Sequence, residues 1–159
     1  MEGSTASSQA RKLQTNSQNS GLDRFIADVE SHVERCPNTW QGKRRFIRAI
    51  RYDYSYILLS DLARPIKFLR QLDSRPPKQF GRSGFDPDLA DDNNPARHYI
   101  AFVFLGFWSP LSISIIILWL WELLGFIRYR TWSHEDIRLG RIGIRHGKQV
   151  RRSGPSVLP

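Results

Sequence analysis

Residues 99–132 read YIAFVFLGFWSPLSISIIILWLWELLGFIRYRTW, and this stretch decides the fold. No charged residue occurs from Tyr99 through Trp121, and the first charge is an acid, Glu122. Because a helix rises about 1.5 Å per residue, about 20 apolar residues cross the ~30 Å hydrocarbon core of a bilayer. The stretch therefore predicts an all-α membrane protein with one transmembrane helix.

The proline in the middle of the stretch predicts where the spanning helix begins. Ser109 resembles a helix N-cap, and Pro110 follows at the first helical position, where no backbone N–H is missed. The span then runs from about 110 to 130, and residues 99–108 form a separate apolar segment, interfacial or packed on a partner. In the alternative, one long helix is kinked at Pro110 and tilted.

Aromatic side chains gather toward one end of the stretch, beside Arg128 and Arg130. This pattern is typical of an aromatic belt at a membrane interface followed by a basic stop. The predicted belt consists of Trp119, Trp121, Tyr129 and Trp132. We therefore expect the two arginines to contact lipid headgroups.

Glu122 lies six residues before Arg128, which places it roughly 9 Å inside the basic boundary of the predicted span. An acid inside a membrane is by default a candidate functional residue. Three interpretations follow. The side chain reaches the near interface or a local arginine, it pairs with a cation on a neighbouring subunit, or it relays a proton or ion. The first is favoured, because one acid on one helix cannot build a pathway alone.

An amphipathic helix is predicted over residues 21–36. Its apolar residues recur at helical spacing and form one stripe, which must pack on another surface. The stripe consists of Leu22, Phe25, Ile26, Val29 and Val33.

A second, longer helical region is predicted over residues 43–72, interrupted at Pro65. Ile47, Ile50 and Tyr54 line one face. The basic residues flank this face, a composition typical of a helix in the headgroup layer of a membrane. The predicted headgroup contacts are Arg44, Arg45, Arg48 and Arg51. Alternatively, the helix packs on a protein partner and the arginine stems cover apolar surface.

The rest of the chain is polar, and we expect disordered or extended tails around the helical parts. Residues 73–98 hold several prolines and aspartates, which interrupt regular structure. The predicted organisation is a disordered tail (1–20), an amphipathic helical region (21–72), a Pro/Asp-rich linker (73–98), a hydrophobic membrane segment (99–130) and a basic tail (131–159).

The chain of 159 residues is strongly basic, with 24 Lys and Arg against 15 Asp and Glu and a net charge of +9. Such a charge points to nucleic acid or to an anionic lipid surface. Most aromatic residues lie in or beside the apolar stretch, which favours lipid, so nucleic acid is not an expected partner. We expect an integral membrane protein of the mitochondrial inner membrane, a bacterial or other energy-converting membrane, or the endoplasmic reticulum.

The topology signals conflict. Arginines are denser after the apolar stretch than before it, which places the C-terminal tail on the cytoplasmic or matrix side. That orientation requires translocation of everything before residue 99, although residues 1–20 lack the apolar region of a secretory signal. A re-entrant hairpin that turns near Pro110 removes the conflict, because both basic regions then stay on one side.

No constellation for catalysis is visible. The single cysteine, Cys36, excludes an internal disulfide and a cysteine-rich metal site. His32 stands one helical turn before Cys36, but two ligands do not make a metal site. We therefore expect no enzyme activity, no catalytic residue, no metal, no cofactor and no small-molecule substrate.

The predicted function is that of a non-catalytic, single-span accessory or assembly subunit of a multi-subunit membrane complex. It would act by helix packing and surface stapling, with other membrane-protein subunits and anionic lipids as partners. The alternative is a monotopic or hairpin protein of the membrane surface that binds anionic lipids through a basic amphipathic helix.

Overall fold

The computed structural model describes residues 20–56, 76–89, 93–130 and 132–155, and these are helical, with no strand. The five α-helices are α1 (Gly21–Glu34), α2 (Trp40–Ile50), α3 (Pro95–Trp108), α4 (Leu111–Tyr129) and α5 (His134–Ser153). A π-helical turn, Arg51–Ser55, continues α2, and a short 3₁₀ turn, Pro87–Leu89, precedes α3. The all-α prediction is confirmed for the described residues. The predicted disordered tail before residue 20 lies outside the described residues. The part of the second predicted helical region beyond residue 56 also lies outside them.

Helices α1 and α2 begin where short polar side chains cap them. The Ser20 hydroxyl accepts a hydrogen bond from the Asp23 N–H at 3.1 Å, and this cap starts α1. The Thr39 hydroxyl accepts one from the Gly42 N–H at 3.1 Å, which starts α2. Each cap satisfies a backbone donor that has no partner inside the helix.

The apolar stretch contains two helices. Ser109 ends α3, Pro110 is the N-cap residue of α4, and the first helical residue is Leu111. The interpretation as one long kinked helix is therefore wrong, and α4 folds back along α3. Within the described residues, no helix combines the length and the apolar character that crossing a membrane requires. The predicted span at about 110–130 finds no support among these helices.

Helix α3 is the centre of the molecule. Its side chains are apolar on every side, and this is possible because other helices cover them on several sides. It packs on α2, on α5 and on the π-helical turn. The core buries Phe25, Val29, Phe46, Ile47, Ile50, Tyr54, Tyr99, Ile100, Val103 and Phe107. The expectation that residues 99–108 lie at an interface or on a partner is therefore corrected, because this chain buries them itself.

Helix α5 occupies the region expected to be a disordered or extended tail, which is a second correction. The Ser133 hydroxyl caps it by accepting from the Asp136 N–H at 2.9 Å. Three of its glycines, Gly140, Gly143 and Gly147, are buried. A Cβ atom at Gly143 would lie 2.7 Å from the Tyr99 carbonyl oxygen, so the backbones of α3 and α5 are in direct contact.

The apolar stripes predicted for α1 and α2 are present, and the chain buries them in its own core, so the expectation that the α2 stripe meets a membrane or a partner is corrected. Phe25 and Val29 of α1 are buried, and Ile47, Ile50 and Tyr54 are fully buried. The apolar periodicity alone was enough to place these faces, because burying apolar surface is the dominant favourable term in folding.

Residues 76–89, expected to belong to a linker, pack on α1. The rings of Phe80 and Phe85 lie 5.6 and 6.2 Å from the ring of Phe25. The Lys78 ammonium donates to the Asp28 carboxylate at 2.6 Å, and the Tyr54 hydroxyl donates to the same carboxylate at 2.8 Å. This polar contact joins three segments that are distant in the sequence.

The contact between Tyr99 and His146 predicts a pH dependence of stability. The Tyr99 hydroxyl oxygen lies 2.6 Å from Nδ1 of His146, and burial lowers the pKa of that imidazole below its ordinary value of 6.5. The unfolded chain therefore binds the proton more readily than the folded chain. We expect the free energy of unfolding to be fully retained above about pH 6.5 and to fall as the pH decreases from there toward the folded-state pKa.

Chemical denaturation followed by circular dichroism at several pH values measures this effect. His146→Gln should reduce the slope of stability against pH in that range, while His134→Gln, at an exposed position of α5, should leave it unchanged. An unaltered slope in His146→Gln would contradict the assignment.

Candidate functional site

Helix α4 has its polarity reversed relative to a helix of a water-soluble protein. Its buried edge consists of Ser114, Leu118 and Glu122, which follow one another at four-residue intervals. Its outer face is apolar, with Ile116 58% exposed and Ile127 65% exposed. The other large apolar side chains on that face are Leu111, Ile113, Leu120, Leu123, Leu124 and Phe126. The only acid of the helix is thus inside, and most of its large aliphatic residues are outside.

This outer face is too apolar to be left in water without a cost. An aliphatic side chain of this size gains about 1.5–3 kcal/mol on full burial. Monomeric proteins in water rarely expose a continuous apolar patch of more than a few hundred Å². The outer face of α4 therefore requires apolar surroundings.

Three exposed aromatic residues form a cluster at one end of α4. The ring of Trp132 lies 5.8 Å from Trp119 and 6.1 Å from Phe126. The guanidinium of Arg141 lies 5.9 Å from the Trp119 ring. Of the predicted aromatic belt, Trp119 and Trp132 thus come together on the surface.

The third tryptophan of the predicted belt, Trp121, points to the inside. Its ring lies 6.5 Å from His98 and 6.3 Å from Phe102, at the contact with α3. Arg130 takes up a left-handed backbone conformation with φ of 58° at the end of α4 and is exposed. The side chains of the remaining predicted contacts, Arg128 and Tyr129, lie outside the described residues.

Glu122 lies beside two polar side chains from other helices, an arrangement that the sequence analysis did not predict. His98 of α3 and Asp136 of α5 approach it, and one ligand-type atom from each of the three lies within 4.8 Å of the others. Nε2 of His98 also lies 2.8 Å from the backbone carbonyl oxygen of Asp136. Glu122 is 5% exposed and His98 6%, so the cluster is inside the protein.

The predicted headgroup arginines of α2 line two neighbouring grooves. Arg44, Arg48 and Arg51 surround a groove of about 430 Å³ together with Phe104 and Trp108. The Arg44 guanidinium lies 5.5 Å from the Trp108 ring, and that of Arg51 lies 5.2 Å from the Phe104 ring. Such an arrangement of cations over aromatic rings suits an anionic group with an apolar body attached.

The fourth arginine of this set, Arg45, lines the second groove, of about 390 Å³, with Gln41, Arg44 and Arg48. Burial lowers the pKa of the Arg51 guanidinium, and the neighbouring positive charge of Arg48 lowers it further. The structure thus brings the four predicted arginines of α2 to one side of that helix. Their mutual repulsion favours the binding of an anion between them.

The turn between α3 and α4 lies close to the arginine grooves. Trp40 of α2 stacks on Phe107 at 5.6 Å and meets Trp108 edge-on at 6.3 Å. The Lys148 ammonium donates to the Ser109 carbonyl oxygen, which holds the turn to α5. The start of the apolar face of α4 therefore lies next to tryptophans and to cations.

Comparison with known proteins gives no relationship: no protein-family model matches the sequence, and no curated protein and no solved structure is significantly similar to it.

Proposed function

We propose that this chain is a non-catalytic accessory protein of a membrane, attached through the outer face of α4 and through the arginines of α2. The observation that carries the proposal is the reversed polarity of α4, whose Ser114 and Glu122 face the protein while most of its large aliphatic side chains face outward. In lipid, this distribution is favourable, because polar groups avoid the hydrocarbon and apolar groups enter it.

Two further features support lipid as the occupant of this face. The aromatic cluster of Trp119, Phe126 and Trp132 suits the boundary between hydrocarbon and headgroups, where amphipathic rings concentrate. Arg141 stands beside that cluster, its guanidinium 5.9 Å from the Trp119 ring, where a long basic side chain reaches headgroups.

The arginines of α2 would supply attraction to anionic lipids. Each basic residue near an anionic leaflet contributes about 1 kcal/mol. Arg44 and Arg48 are one helical turn apart, and no salt bridge to a carboxylate involves them in the described part of the chain. Both side chains line the groove beside Phe104 and Trp108, where a phosphate would meet them.

Vesicle flotation of the full-length chain tests the apolar contact. The double variant Ile116→Gln and Leu120→Gln should bind neutral and anionic vesicles roughly 100-fold more weakly, since two apolar side chains lose about 3 kcal/mol of transfer free energy. Gln149→Ala, on an exposed position of α5, is the matched control and should bind normally. Unchanged binding by the double variant would remove the main support for the proposal.

The same assay tests the arginines separately. Arg44→Gln with Arg48→Gln should weaken binding to phosphatidylserine vesicles by roughly 30-fold, should leave binding to neutral vesicles unaltered, and should reduce the sensitivity to salt. Arg35→Gln with Arg82→Gln removes the same charge from two exposed positions elsewhere and serves as the control. If both pairs have equal effects, only the net charge matters and the grooves are not lipid sites.

A second candidate function is that of an assembly subunit whose α4 packs on helices of other membrane proteins. Gly125 favours it, because a Cβ atom there would meet nothing within 4 Å, and small residues on an apolar helix allow close helix pairing. Native sizing in a mild detergent, with mass spectrometry of co-migrating proteins, distinguishes the two. A discrete assembly that Gly125→Leu disrupts would favour the subunit, and a monomer in a micelle would exclude it.

A further inference from the structure

We propose that His98, Glu122 and Asp136 bind one divalent transition-metal cation of the Zn²⁺ class. The three side chains come from α3, α4 and α5, and their ligand-type atoms lie within 4.8 Å of one another. Metal–ligand bonds of about 2.0–2.1 Å in a tetrahedral site require donor separations of roughly 3.4 Å. Small side-chain rotations that move each donor atom by roughly 1 Å or slightly more would thus complete the site.

The hydrogen bond of His98 prepares its ring for a metal. Nε2 lies 2.8 Å from the carbonyl oxygen of Asp136, and a carbonyl only accepts, so Nε2 carries the hydrogen. In the neutral ring, Nδ1 then holds the lone pair, and it lies 4.0 Å from Oδ2 of Asp136. Metal-binding histidines commonly donate their other N–H to a backbone carbonyl in this way, which fixes the tautomer and the ring orientation.

The charge and burial of the cluster match a divalent ion. Two carboxylates are together able to balance the charge of one divalent cation. Glu122 is 5% exposed and His98 6%, so these groups are held largely away from water. The side chain of Asp136 is 18% exposed, so it forms the open side through which the ion would enter.

The donor types select the class of ion. One nitrogen and two carboxylate oxygens suit Zn²⁺, Mn²⁺ or Fe²⁺, whereas Ca²⁺ takes six to eight oxygen ligands. Three protein ligands leave a coordination position for water. Because each ligand stands on a different helix, the ion would fasten the inner edge of α4 to α3 and α5. This inference is independent of what covers the outer face of α4.

Titration of the metal-free, full-length chain in mild detergent with Co²⁺ tests the site. We expect one Co²⁺ per chain, a visible absorption spectrum of nitrogen and oxygen ligands, and displacement of the Co²⁺ by Zn²⁺. Glu122→Gln and His98→Gln should weaken the affinity by roughly 100-fold or more, since even changes behind the ligands commonly cost 10–100-fold. Glu135→Gln and His134→Gln are matched controls beside the cluster in sequence and should bind as the unaltered chain does.

Failure of the titration to saturate at one ion per chain would overturn the proposal, as would equal affinity in Glu122→Gln. A near-ultraviolet band from a thiolate ligand would also overturn it, because that band would place the ion at Cys36. If circular dichroism shows that Glu122→Gln does not fold, Asp136→Asn at the open side replaces it. The metal should also raise the melting temperature of the unaltered chain and leave that of the ligand variants unchanged.

Discussion

Gly147→Ala is expected to lower the free energy of unfolding by about 3 kcal/mol, the upper part of the usual range for overpacking a core. The added Cβ atom would lie 2.7 Å from the Phe107 backbone nitrogen and closer still to the Val103 carbonyl oxygen. Both contacts are backbone atoms of α3 and cannot move aside as a flexible side chain would. The higher helix propensity of alanine, worth about 1 kcal/mol, is too small to compensate.

Gly125→Ala is the matched control for this change. It is the same substitution in the interior of a helix, but nothing lies within 4 Å of the added atom. We expect this variant to be unchanged or up to about 1 kcal/mol more stable. Urea denaturation in detergent, followed by far-ultraviolet circular dichroism, measures both variants. Equal stability of the two would mean that α3 and α5 are not in backbone contact.

Asp28→Asn is expected to lower the free energy of unfolding by about 2 kcal/mol at neutral pH, the usual size for hydrogen bonds to charged groups. The carboxylate accepts from the Lys78 ammonium at 2.6 Å and from the Tyr54 hydroxyl at 2.8 Å. The amide of asparagine keeps the shape of the side chain but gives up its negative charge. The segment 76–89 thereby loses its ionic contact with α1, although its phenylalanines still contact Phe25.

The stabilisation that the Asp28 carboxylate provides should depend on pH. Partial burial alone would raise the pKa of Asp28, but the hydrogen bonds from Lys78 and Tyr54 lower it below its ordinary value of 3.8. The stabilisation is therefore fully present above about pH 3.8 and is lost as the pH falls through the lower folded-state pKa. We therefore expect the difference in the free energy of unfolding between Asp28→Asn and the unaltered chain to become smaller as the pH falls.

Glu30→Gln removes the same charge from an exposed position of α1 and should change stability by less than about 0.5 kcal/mol. A stability difference for Asp28→Asn that stayed constant to low pH would show that its effect does not depend on the carboxylate charge.

Local patterns predicted much of the architecture. The stripes of α1 and α2 were found from the 3.6-residue period, and the break at Ser109–Pro110 was found from the proline, although Ser109 ends α3 instead of capping α4. These features depend on residues a few positions apart, so a single sequence contains the information. The all-helical class follows from the same patterns.

The location of α3 could not be predicted in the same way. Hydrocarbon and protein interior both favour apolar side chains, so the composition of residues 99–108 does not distinguish between them. The signal was in α5, where Gly140, Gly143 and Gly147 share a face with Ile144 and Val150. The high charge of that region favoured the prediction of a basic tail instead.

The cluster around Glu122 was missed for a different reason. His98, Glu122 and Asp136 are far apart in sequence and meet only because α3, α4 and α5 pack together. No spacing rule for metal ligands applies to residues on three separate helices. The one indication in the sequence was the isolated acid in an apolar helix, which needed a partner that the chain itself provides.

Because α3 packs on α5, it is synthesised some seconds before the helix that covers it. Phe107 and Arg151, which meet in the folded protein, are 44 residues apart in the sequence. At about 5–20 residues per second, a ribosome needs roughly 2–9 seconds to make the part of the chain between them. During that interval α3 has left the peptidyl-transferase centre without its main partner helix. The apolar side chains of α3 that pack on α5 are thus buried only after translation has supplied that helix.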